Sequence, residues 1–124
     1  MKNVYILFDF AGTLATMRPA TLLVNKSLLK RLYKTYLLGI ITGAGKTEVI
    51  NILNKLEIFD LFSLVISADD SKYKKPNRKL VPKVNILAYI GDSKKDETFA
   101  QNAKLAFFRV NKKYNINAIL KELL

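Results

Sequence analysis

Short hydrophobic runs alternate along this chain with segments whose apolar residues recur every three or four positions. The short runs are rich in isoleucine, leucine, valine and aromatic residues, and they predict five β-strands. These strands are placed at residues 3–10, 36–41, 63–67, 85–90 and 105–110. Strands that alternate with helices are typical of parallel βαβ units. The pattern therefore predicts an α/β fold: a doubly wound, Rossmann-like three-layer sandwich built on a parallel sheet.

Four amphipathic helices are predicted from the three- and four-residue spacing of apolar residues. The first begins at Asn25, whose side chain can cap the free N–H groups of the first turn. The third covers about residues 94–104 and carries Asp96 and Glu97 in its first turn, where the helix dipole favours negative charge. The predicted buried faces are Leu29, Leu32, Tyr33 and Tyr36 in the first helix, Val49, Ile52, Leu53 and Leu56 in the second, and Ile116, Ile119, Leu120 and Leu123 in the last.

Length and composition limit the domain organisation and the kinds of reaction that this chain can support. A chain of 124 residues is expected to form a single domain, residues 1–124, with one core and no room for a second folded unit. It contains neither cysteine nor histidine. Serine–histidine and cysteine–histidine hydrolases, disulfides and histidine-ligated metal sites are therefore excluded. Any acid–base chemistry must come from carboxylates, lysines or tyrosines.

The charge and hydropathy of the chain indicate its surroundings. A formal net charge of +11 favours anionic partners such as phosphate esters or nucleic acid, although most such lysines simply face solvent. No recognised nucleic-acid-binding motif accompanies the charge. No apolar stretch approaches the roughly 20 residues that a membrane helix needs, and no signal peptide is evident. A cytoplasmic protein without membrane contact is expected.

Three polar residues lie at or just after the C-terminal ends of predicted strands. Asp9 and Thr42 close the first and second strands, and Asp92 follows the fourth. Ligands of doubly wound sheets collect beyond the carboxyl ends of the strands, so we expect these side chains to share one crevice. Gly12 allows a tight turn after Asp9, and the N–H groups of that turn are expected to face an anion.

These residues resemble the four motifs of the haloacid dehalogenase superfamily. Asp9-Phe10-Ala11-Gly12-Thr13-Leu14 is similar to motif one, D-x-D-G-T-L, and Thr42-Gly43 is similar to motif two. Lys75-Pro76 resembles motif three, and the segment from Gly91-Asp92 to Asp96 resembles the G-D-x-x-x-D of motif four. The resemblance spans residues 9–96, in the family's order. It implies a five-stranded parallel sheet in the order 3-2-1-4-5, with the strand that carries Asp9 at the centre.

The resemblance also implies roles for these residues. Asp9 is the expected nucleophile, Thr42 is expected to donate a hydrogen bond to the phosphoryl group, and Lys75 to neutralise its charge. Phosphate contacts are expected from Gly12, Thr42, Gly43 and Lys75. Magnesium is expected to be held by Asp9, the carbonyl of Ala11, Asp92 and Asp96. The implied activity is a magnesium-dependent phosphohydrolase that forms an aspartyl-phosphate.

Ala11 departs from the motif, because the family places its general acid–base aspartate there. Losing such a group costs about 10²- to 10⁴-fold in rate. Three interpretations stay open: a phosphohydrolase of low or specialised activity; a non-catalytic phosphoryl- or nucleic-acid-binding regulatory protein; and a protein similar to phosphonoacetaldehyde hydrolases, which also have alanine there but need a lysine from a cap domain.

Two further expectations concern the surroundings of the site. Gly43-Ala44-Gly45-Lys46-Thr47 has the tail of a P-loop, but the first glycine of that motif would fall at Ile40, inside a strand. We therefore expect Gly45-Lys46-Thr47 to open a helix instead. The spacing between motifs leaves no room for a cap domain, so the substrate is expected to be bulky or macromolecular, or a neighbouring subunit of a homo-oligomer to enclose the site.

Overall fold

Five parallel strands form the central sheet of the computed structural model, which describes residues 2–124. The elements in chain order are β1 (Tyr5–Phe8), β2 (Ala15–Met17), β3 (Ala20–Leu22), α1 (Lys26–Thr35), β4 (Leu37–Ile41), α2 (Lys46–Lys55), β5 (Leu64–Ile66), β6 (Ile86–Gly91), α3 (Lys94–Ala103), β7 (Phe107–Arg109) and α4 (Ile116–Leu123). Short 3₁₀ turns lie at Phe59–Leu61 and Arg78–Leu80. The sheet order is β5-β4-β1-β6-β7. This confirms the predicted order 3-2-1-4-5 and the α/β sandwich.

The central strand is apolar because both of its faces are covered. Leu7 of β1 lies opposite Gly39 of β4 on one side and Tyr89 of β6 on the other. Leu7 and Tyr89 have no exposed surface. A Cβ at Gly39 would lie 2.7 Å from Cδ2 of Leu7, so a glycine is needed where these strands meet. This packing brings the carboxyl ends of β4, β1 and β6 side by side.

The helices cover the two faces unequally. On one face α1, α2 and α4 pack against β1 and β4 through residues such as Leu29, Leu53 and Ile119. On the other face α3 supplies Phe99 and Ala100, which pack with Tyr89 and with Leu80 from the second 3₁₀ turn. Complete burial of a ring such as that of Phe99 contributes about 1.5–3 kcal/mol. Helix α3 and the segment before β6 are therefore fixed to each other.

Side-chain caps set the starts of three helices. The side chain of Asn25 accepts from the N–H groups of Ser27 and Leu28 at the start of α1, as predicted. Ser93 and Asp96 form a reciprocal capping box at the start of α3. The side chain of Asn115 accepts from the N–H of Ala118 at the start of α4. The ends of the helices differ from the prediction, because the cap residues after α1 and α2 are Tyr36 and Leu56, which were expected within the buried helical faces.

Two connections differ from a regular alternation of strand and helix. Between β1 and α1 the chain forms an antiparallel hairpin, β2–β3, whose tip residue Arg18 pairs with Glu48 of α2 at 2.9 Å. Between β5 and β6 the chain crosses the sheet with only the turn Arg78–Leu80. Within residues 2–124 no helix combines the length and apolar character that a membrane crossing requires.

Candidate active site

The structure brings the expected residues together at the carboxyl edge of the sheet. Asp9 directly follows β1, Thr42 follows β4, and Asp92 follows β6. Because these three strands are neighbours, their final side chains meet in one cleft of about 390 Å³. The lining of this cleft, which we call the catalytic cleft, is Asp9, Ala11, Thr42, Gly43, Ala44, Lys75, Asp92, Ser93, Lys95 and Asp96.

Lys75 reaches the centre of the catalytic cleft from the irregular crossover between β5 and β6. Its Nζ lies 2.8 Å from Oδ1 of Asp9 and 2.8 Å from Oδ1 of Asp96. The same Nζ donates to the hydroxyl of Tyr89 at 3.0 Å and to the carbonyl of Ile41 at 3.2 Å. The Lys75 side chain is only 10% exposed. A buried ammonium with two carboxylate partners is fixed in place, so it offers a positive charge at a defined position.

Asp96 uses both of its oxygens within the protein. Oδ1 accepts from Lys75 and, at 2.6 Å, from the hydroxyl of Tyr89. Oδ2 accepts from the backbone N–H and hydroxyl of Ser93 at 3.2 and 2.9 Å. Gly91 is required beside this carboxylate, since a Cβ there would lie 2.6 Å from Cγ of Asp96. The arrangement makes Asp96 the residue that positions Lys75.

The two carboxylates that share Lys75 have different acidities. Burial raises the pKa of Asp9 to about 7. The attraction of Lys75 offsets this only in part, and the negative charge of nearby Asp96 adds to the rise. Burial acts in the same direction on Asp96, but Lys75 and the hydrogen bonds from Lys75, Tyr89 and Ser93 hold the pKa of that carboxyl below its usual value. The pKa of Tyr89 is raised by burial and by the nearby carboxylates, so its hydroxyl stays protonated. Of these two carboxyl groups, Asp96 is therefore the more acidic in the metal-free protein.

The loop after Asp9 fits closely around Asp92. Gly12 has a φ of +82°, and a Cβ there would lie 2.4 Å from Oδ2 of Asp92. The hydroxyl of buried Thr13 donates to Oδ1 of Asp92 at 3.3 Å. The N–H of Gly12 donates to the carbonyl of Ala15 at 2.9 Å, so the expectation that this N–H faces an anion was wrong. Instead, no hydrogen bond within residues 2–124 uses the N–H of Ala11, which lines the cleft.

Thr42 is held with its hydroxyl oriented. Its Oγ1 accepts from the N–H of Ala44 at 3.2 Å, which leaves the hydroxyl proton to be donated elsewhere. Gly43 is exposed at the cleft, with nothing within 4 Å of the position that a Cβ would take there. Thr42 and Gly43 therefore present a hydroxyl and an open stretch of backbone to a ligand.

The start of α2 is occupied by acidic side chains rather than open to the cleft. The N–H of Lys46 donates to Asp69 at 2.8 Å, and its Nζ pairs with Asp70. Helix α2 begins at Lys46, as expected for a segment that opens a helix rather than a P-loop. Asp69 accepts from the N–H of Lys46, so this backbone group at the start of α2 is not available to a ligand. No sequence motif predicted a role for the acidic pair Asp69-Asp70.

The carboxylates of the cleft fit a small divalent cation. Asp9, Asp92 and Asp96 each offer an oxygen, and these oxygens lie within 4.8 Å of one another. Oδ2 of Asp92 accepts no hydrogen bond within residues 2–124, and the Asp9 carboxylate accepts only from Lys75, whereas both oxygens of Asp96 are used. Hard oxygen ligands with few protein partners suit Mg²⁺. The fit is therefore best at Asp9 and Asp92, with Asp96 behind them.

Tyr89 is a site residue that the sequence analysis missed. Its hydroxyl is the donor at 2.6 Å to Asp96 and the acceptor at 3.0 Å from Lys75. Its ring packs edge-on against Phe99 at 5.2 Å. The signal in the sequence was a phenol in an otherwise aliphatic strand, since a buried hydroxyl needs a polar partner.

Comparison with known families identifies the class. The sequence profile of the haloacid dehalogenase-like hydrolases matches residues 24–110. The match covers more than half of the chain, so this chain belongs to the haloacid dehalogenase-like hydrolase family. It includes Thr42, Lys75 and Asp92 and begins after Asp9 and Ala11. Among curated proteins, none matches the sequence.

Solved structures share the fold. A protein of Bacteroides fragilis assigned as a haloacid dehalogenase-like hydrolase has a TM-score of 0.77 and 18% identity, over 90% of this chain and 88% of its own. The phosphatase Tt82 of Thermococcus thioreducens has a TM-score of 0.70 and 23% identity, over 86% of this chain and 46% of its own. A protein of Lactobacillus plantarum assigned as a phosphoglycolate phosphatase has a TM-score of 0.72 and 19% identity, over 86% of each chain.

Proposed function

We propose that this protein is a magnesium-dependent phosphohydrolase that uses Asp9 as its nucleophile and works best on phosphates with good leaving groups. The observation that carries the proposal is the pairing of Asp9 with buried Lys75 in the catalytic cleft. Lys75 binds Oδ1 of Asp9 and leaves Oδ2 without a donor. One oxygen is thus fixed while the other is free to attack an electrophile.

In this proposal the reaction consists of two successive displacements at phosphorus. Oδ2 of Asp9 attacks phosphorus, the bond from phosphorus to the leaving-group oxygen breaks, and an aspartyl-phosphate forms. Water then attacks the same phosphorus and releases inorganic phosphate and the Asp9 carboxylate. Thr42 donates its hydroxyl to a phosphoryl oxygen, and Lys75 faces the developing negative charge with the N–H of Ala11 beside it.

A magnesium ion would be held by Asp9 and Asp92, with the carbonyl of Ala11 as a third ligand and Asp96 in support. When bound, it supplies charge neutralisation at the phosphoryl oxygens. Thr13 and Gly12 serve this site by fixing the position of Asp92. Asp96 serves it by holding Lys75.

Ala11 determines which substrates suit the site. Its methyl group is exposed at the cleft and cannot protonate a leaving group or activate water. Aryl and acyl phosphates need little protonation when they leave, whereas alkyl esters need much. The first displacement should therefore run on activated phosphates, and hydrolysis of the aspartyl-phosphate should be the slow step.

We also propose that the site works without a cap domain. The connection from β1 to α1 holds the hairpin β2–β3, and the connection from β4 to β5 holds α2 and a 3₁₀ turn. Neither segment carries a further folded unit over the catalytic cleft. An open cleft accepts bulky phosphates, which agrees with the excess of basic residues in the chain.

The test is a phosphate-release screen with Mg²⁺ over acyl, aryl, alkyl, sugar and nucleotide phosphates, followed by mass spectrometry of the protein. We expect release from acyl and aryl phosphates and a phosphorylated protein that Asp9→Asn cannot form. Asp60→Asn, at an exposed 3₁₀ turn, is the matched control and should behave like the parent. Absence of both turnover and phosphoprotein across the screen would favour the non-catalytic phosphoryl-binding alternative.

A further inference from the structure

A second cleft opens beside the catalytic cleft. It has a volume of about 210 Å³ and is lined by Thr42, Gly43, Lys74, Lys75, Leu80 and Lys95. Four of these residues, Thr42, Gly43, Lys75 and Lys95, also line the catalytic cleft, so the two spaces are continuous. Lys74, which lines only the second space, lies next to Lys75 in sequence. We call this space the side cleft.

The side cleft contains positive charge that the protein does not neutralise. Lys74 and Lys95 form no ion pair within residues 2–124, whereas Lys75, Lys46 and Lys94 each do. The lining of the side cleft contains no carboxylate. The remaining lining is the ion-paired Lys75, the hydroxyl of Thr42, Gly43 and the apolar side chain of Leu80. Two free ammonium groups without a counterion beside a phosphoryl site suit an anion.

The side cleft is built from segments that are fixed to each other. The side chain of Asn102 on α3 donates to the carbonyl of Pro76 at 2.8 Å. Leu80 is buried against Phe99 and Ala100 of the same helix. The crossover that carries Lys74 is therefore attached to the helix that carries Lys95. Both lysines are exposed and line the same space, and the segments that carry them are held together by these contacts.

We propose that the natural substrate carries a second anionic group, a phosphate or a carboxylate, which binds between Lys74 and Lys95 while the scissile phosphoryl group occupies the catalytic cleft. This inference rests on the proposed function and names the substrate class. The volume of the side cleft equals roughly seven waters of bulk liquid, which fits one such group and a short linker.

The competing explanation is that Lys74 and Lys95 act on the scissile phosphoryl group itself. Lys75 already contacts that position from within the catalytic cleft. If the two outer lysines served the same group, their removal would weaken every phosphate ligand alike. If they serve a second group, their removal would cancel only the advantage of ligands that have one. The ratio of two affinities separates these cases.

The experiment is titration calorimetry with non-hydrolysable ligands at one fixed concentration of free Mg²⁺. Methylphosphonate carries one anionic group, and phosphonoacetate and 3-phosphonopropionate add a carboxylate at two distances. We expect the better dianionic ligand to bind the parent at least tenfold more tightly than methylphosphonate. In Lys74→Ala and in Lys95→Ala this ratio should fall to about twofold, and Lys95→Arg should retain it.

Lys30→Ala is the matched control, because it removes one exposed lysine from α1 on the other face of the sheet. It should keep the tenfold ratio. The inference is overturned if the parent shows no preference for the added carboxylate, or if both alanine variants keep the parent's ratio. The proposed function fails separately, if Lys75→Met binds methylphosphonate as tightly as the parent does.

Discussion

The Nζ of Lys75 lies 2.8 Å from Oδ1 of Asp96, a carboxylate that is only 1% exposed. The partner comes from the first turn of α3, whereas Lys75 lies on the crossover before β6. Since every oxygen of Asp96 is already hydrogen-bonded, this carboxylate has little left to offer a ligand directly. Its effect on the site is exerted through Lys75.

Asp96→Asn should therefore reduce stability and phosphorylation of Asp9 together. The amide cannot accept from both Lys75 and Tyr89 with the strength of a charge, and a hydrogen bond to a charged group contributes about 1.5–3 kcal/mol. We expect the free energy of unfolding in urea to fall by about that amount. Tyr89→Phe removes one donor and keeps the charge, so its loss should be smaller. Equal stability of Asp96→Asn and the parent would contradict the role assigned to Asp96.

Gly12→Ala should disrupt the site, and Gly43→Ala should be nearly silent for stability. A Cβ at position 12 meets Oδ2 of Asp92 at 2.4 Å, and the φ of +82° is unfavourable for any side chain. The left-handed backbone alone costs about 1–2 kcal/mol. Gly43 lacks a positive φ and has open space around a Cβ. Urea unfolding of both variants measures the difference. A Gly12→Ala protein as stable as Gly43→Ala would show that the loop relaxes without cost.

Asp92→Asn should lose magnesium affinity. Asp92 lies beside Asp9, and its Oδ2 accepts no hydrogen bond within residues 2–124. Few protein contacts therefore neutralise the charge of this carboxylate, which leaves it available to a cation. We expect the dissociation constant for Mg²⁺, measured by calorimetry, to rise at least tenfold. Asp60→Asn removes a carboxylate far from the cleft and should bind Mg²⁺ as the parent does. Unchanged affinity in Asp92→Asn would place the metal elsewhere.

The free energy of unfolding of the metal-free protein should depend on pH through the ionisation of Asp9. The pKa of this carboxyl is raised from 3.8 to about 7 in the folded protein, mainly by burial. A raised pKa means that the folded state gains relative stability at low pH and loses it as the pH rises through 7. A shift of about three units sets an upper limit of about 4 kcal/mol.

The check compares the parent with Asp9→Asn in chelator, because asparagine stays uncharged throughout. Between pH 5 and pH 8 the stability of the parent should fall relative to the variant by about 2–3 kcal/mol at most. Saturating Mg²⁺ should reduce this difference, since a bound cation favours the carboxylate. A difference that is constant from pH 5 to pH 8 would mean that Asp9 ionises normally in the folded chain.

Ala11→Asp should increase turnover of alkyl phosphates. Residue 11 is exposed at the catalytic cleft, so a carboxylate there meets no packing conflict. Restored proton transfer is expected to raise the rate by about 10²- to 10⁴-fold. With p-nitrophenyl phosphate the gain in the first step should be smaller, because nitrophenolate leaves readily. If Ala11→Asp hydrolyses alkyl phosphates no faster than the parent, another residue already transfers the proton, and Lys74, Lys94 and Lys95 are then the ones to replace.

The sequence predicted those parts of the fold that leave a regular pattern of hydrophobic and polar residues. The five strands, the cap at Asn25 and the meeting of Asp9, Thr42 and Asp92 follow from hydrophobic runs that end in polar residues. The hairpin β2–β3 was not predicted, because strands of three residues are too short to produce a clear pattern. The hydrogen bond from Gly12 to Ala15 depends on that hairpin, so the error about its N–H has the same origin.

The pairing of Lys75 with Tyr89 and Asp96 could not be predicted for a different reason. It joins residues 14 and 21 positions apart across a crossover without regular structure. Periodicity gives no information about where such a segment lies. Which of Lys74 and Lys75 turns inward was likewise decided by packing, through Leu80 and Asn102, rather than by the local sequence.

Because of the crossover from β5 to β6, the cleft has one set of residues fixed by the sheet and a second set carried on a segment without regular structure. Asp9, Thr42 and Asp92 are placed by the backbone ladder of three adjacent strands, so their spacing is fixed by the sheet itself. The cations Lys74 and Lys75 lie on a segment that is held by side-chain contacts, including those with α3, and not by strand pairing. Substitutions in that segment can move positive charge along the cleft without changing a single strand pairing. Descendants of this chain could therefore change the ligands they prefer while keeping Asp9, Thr42 and Asp92 in the same places.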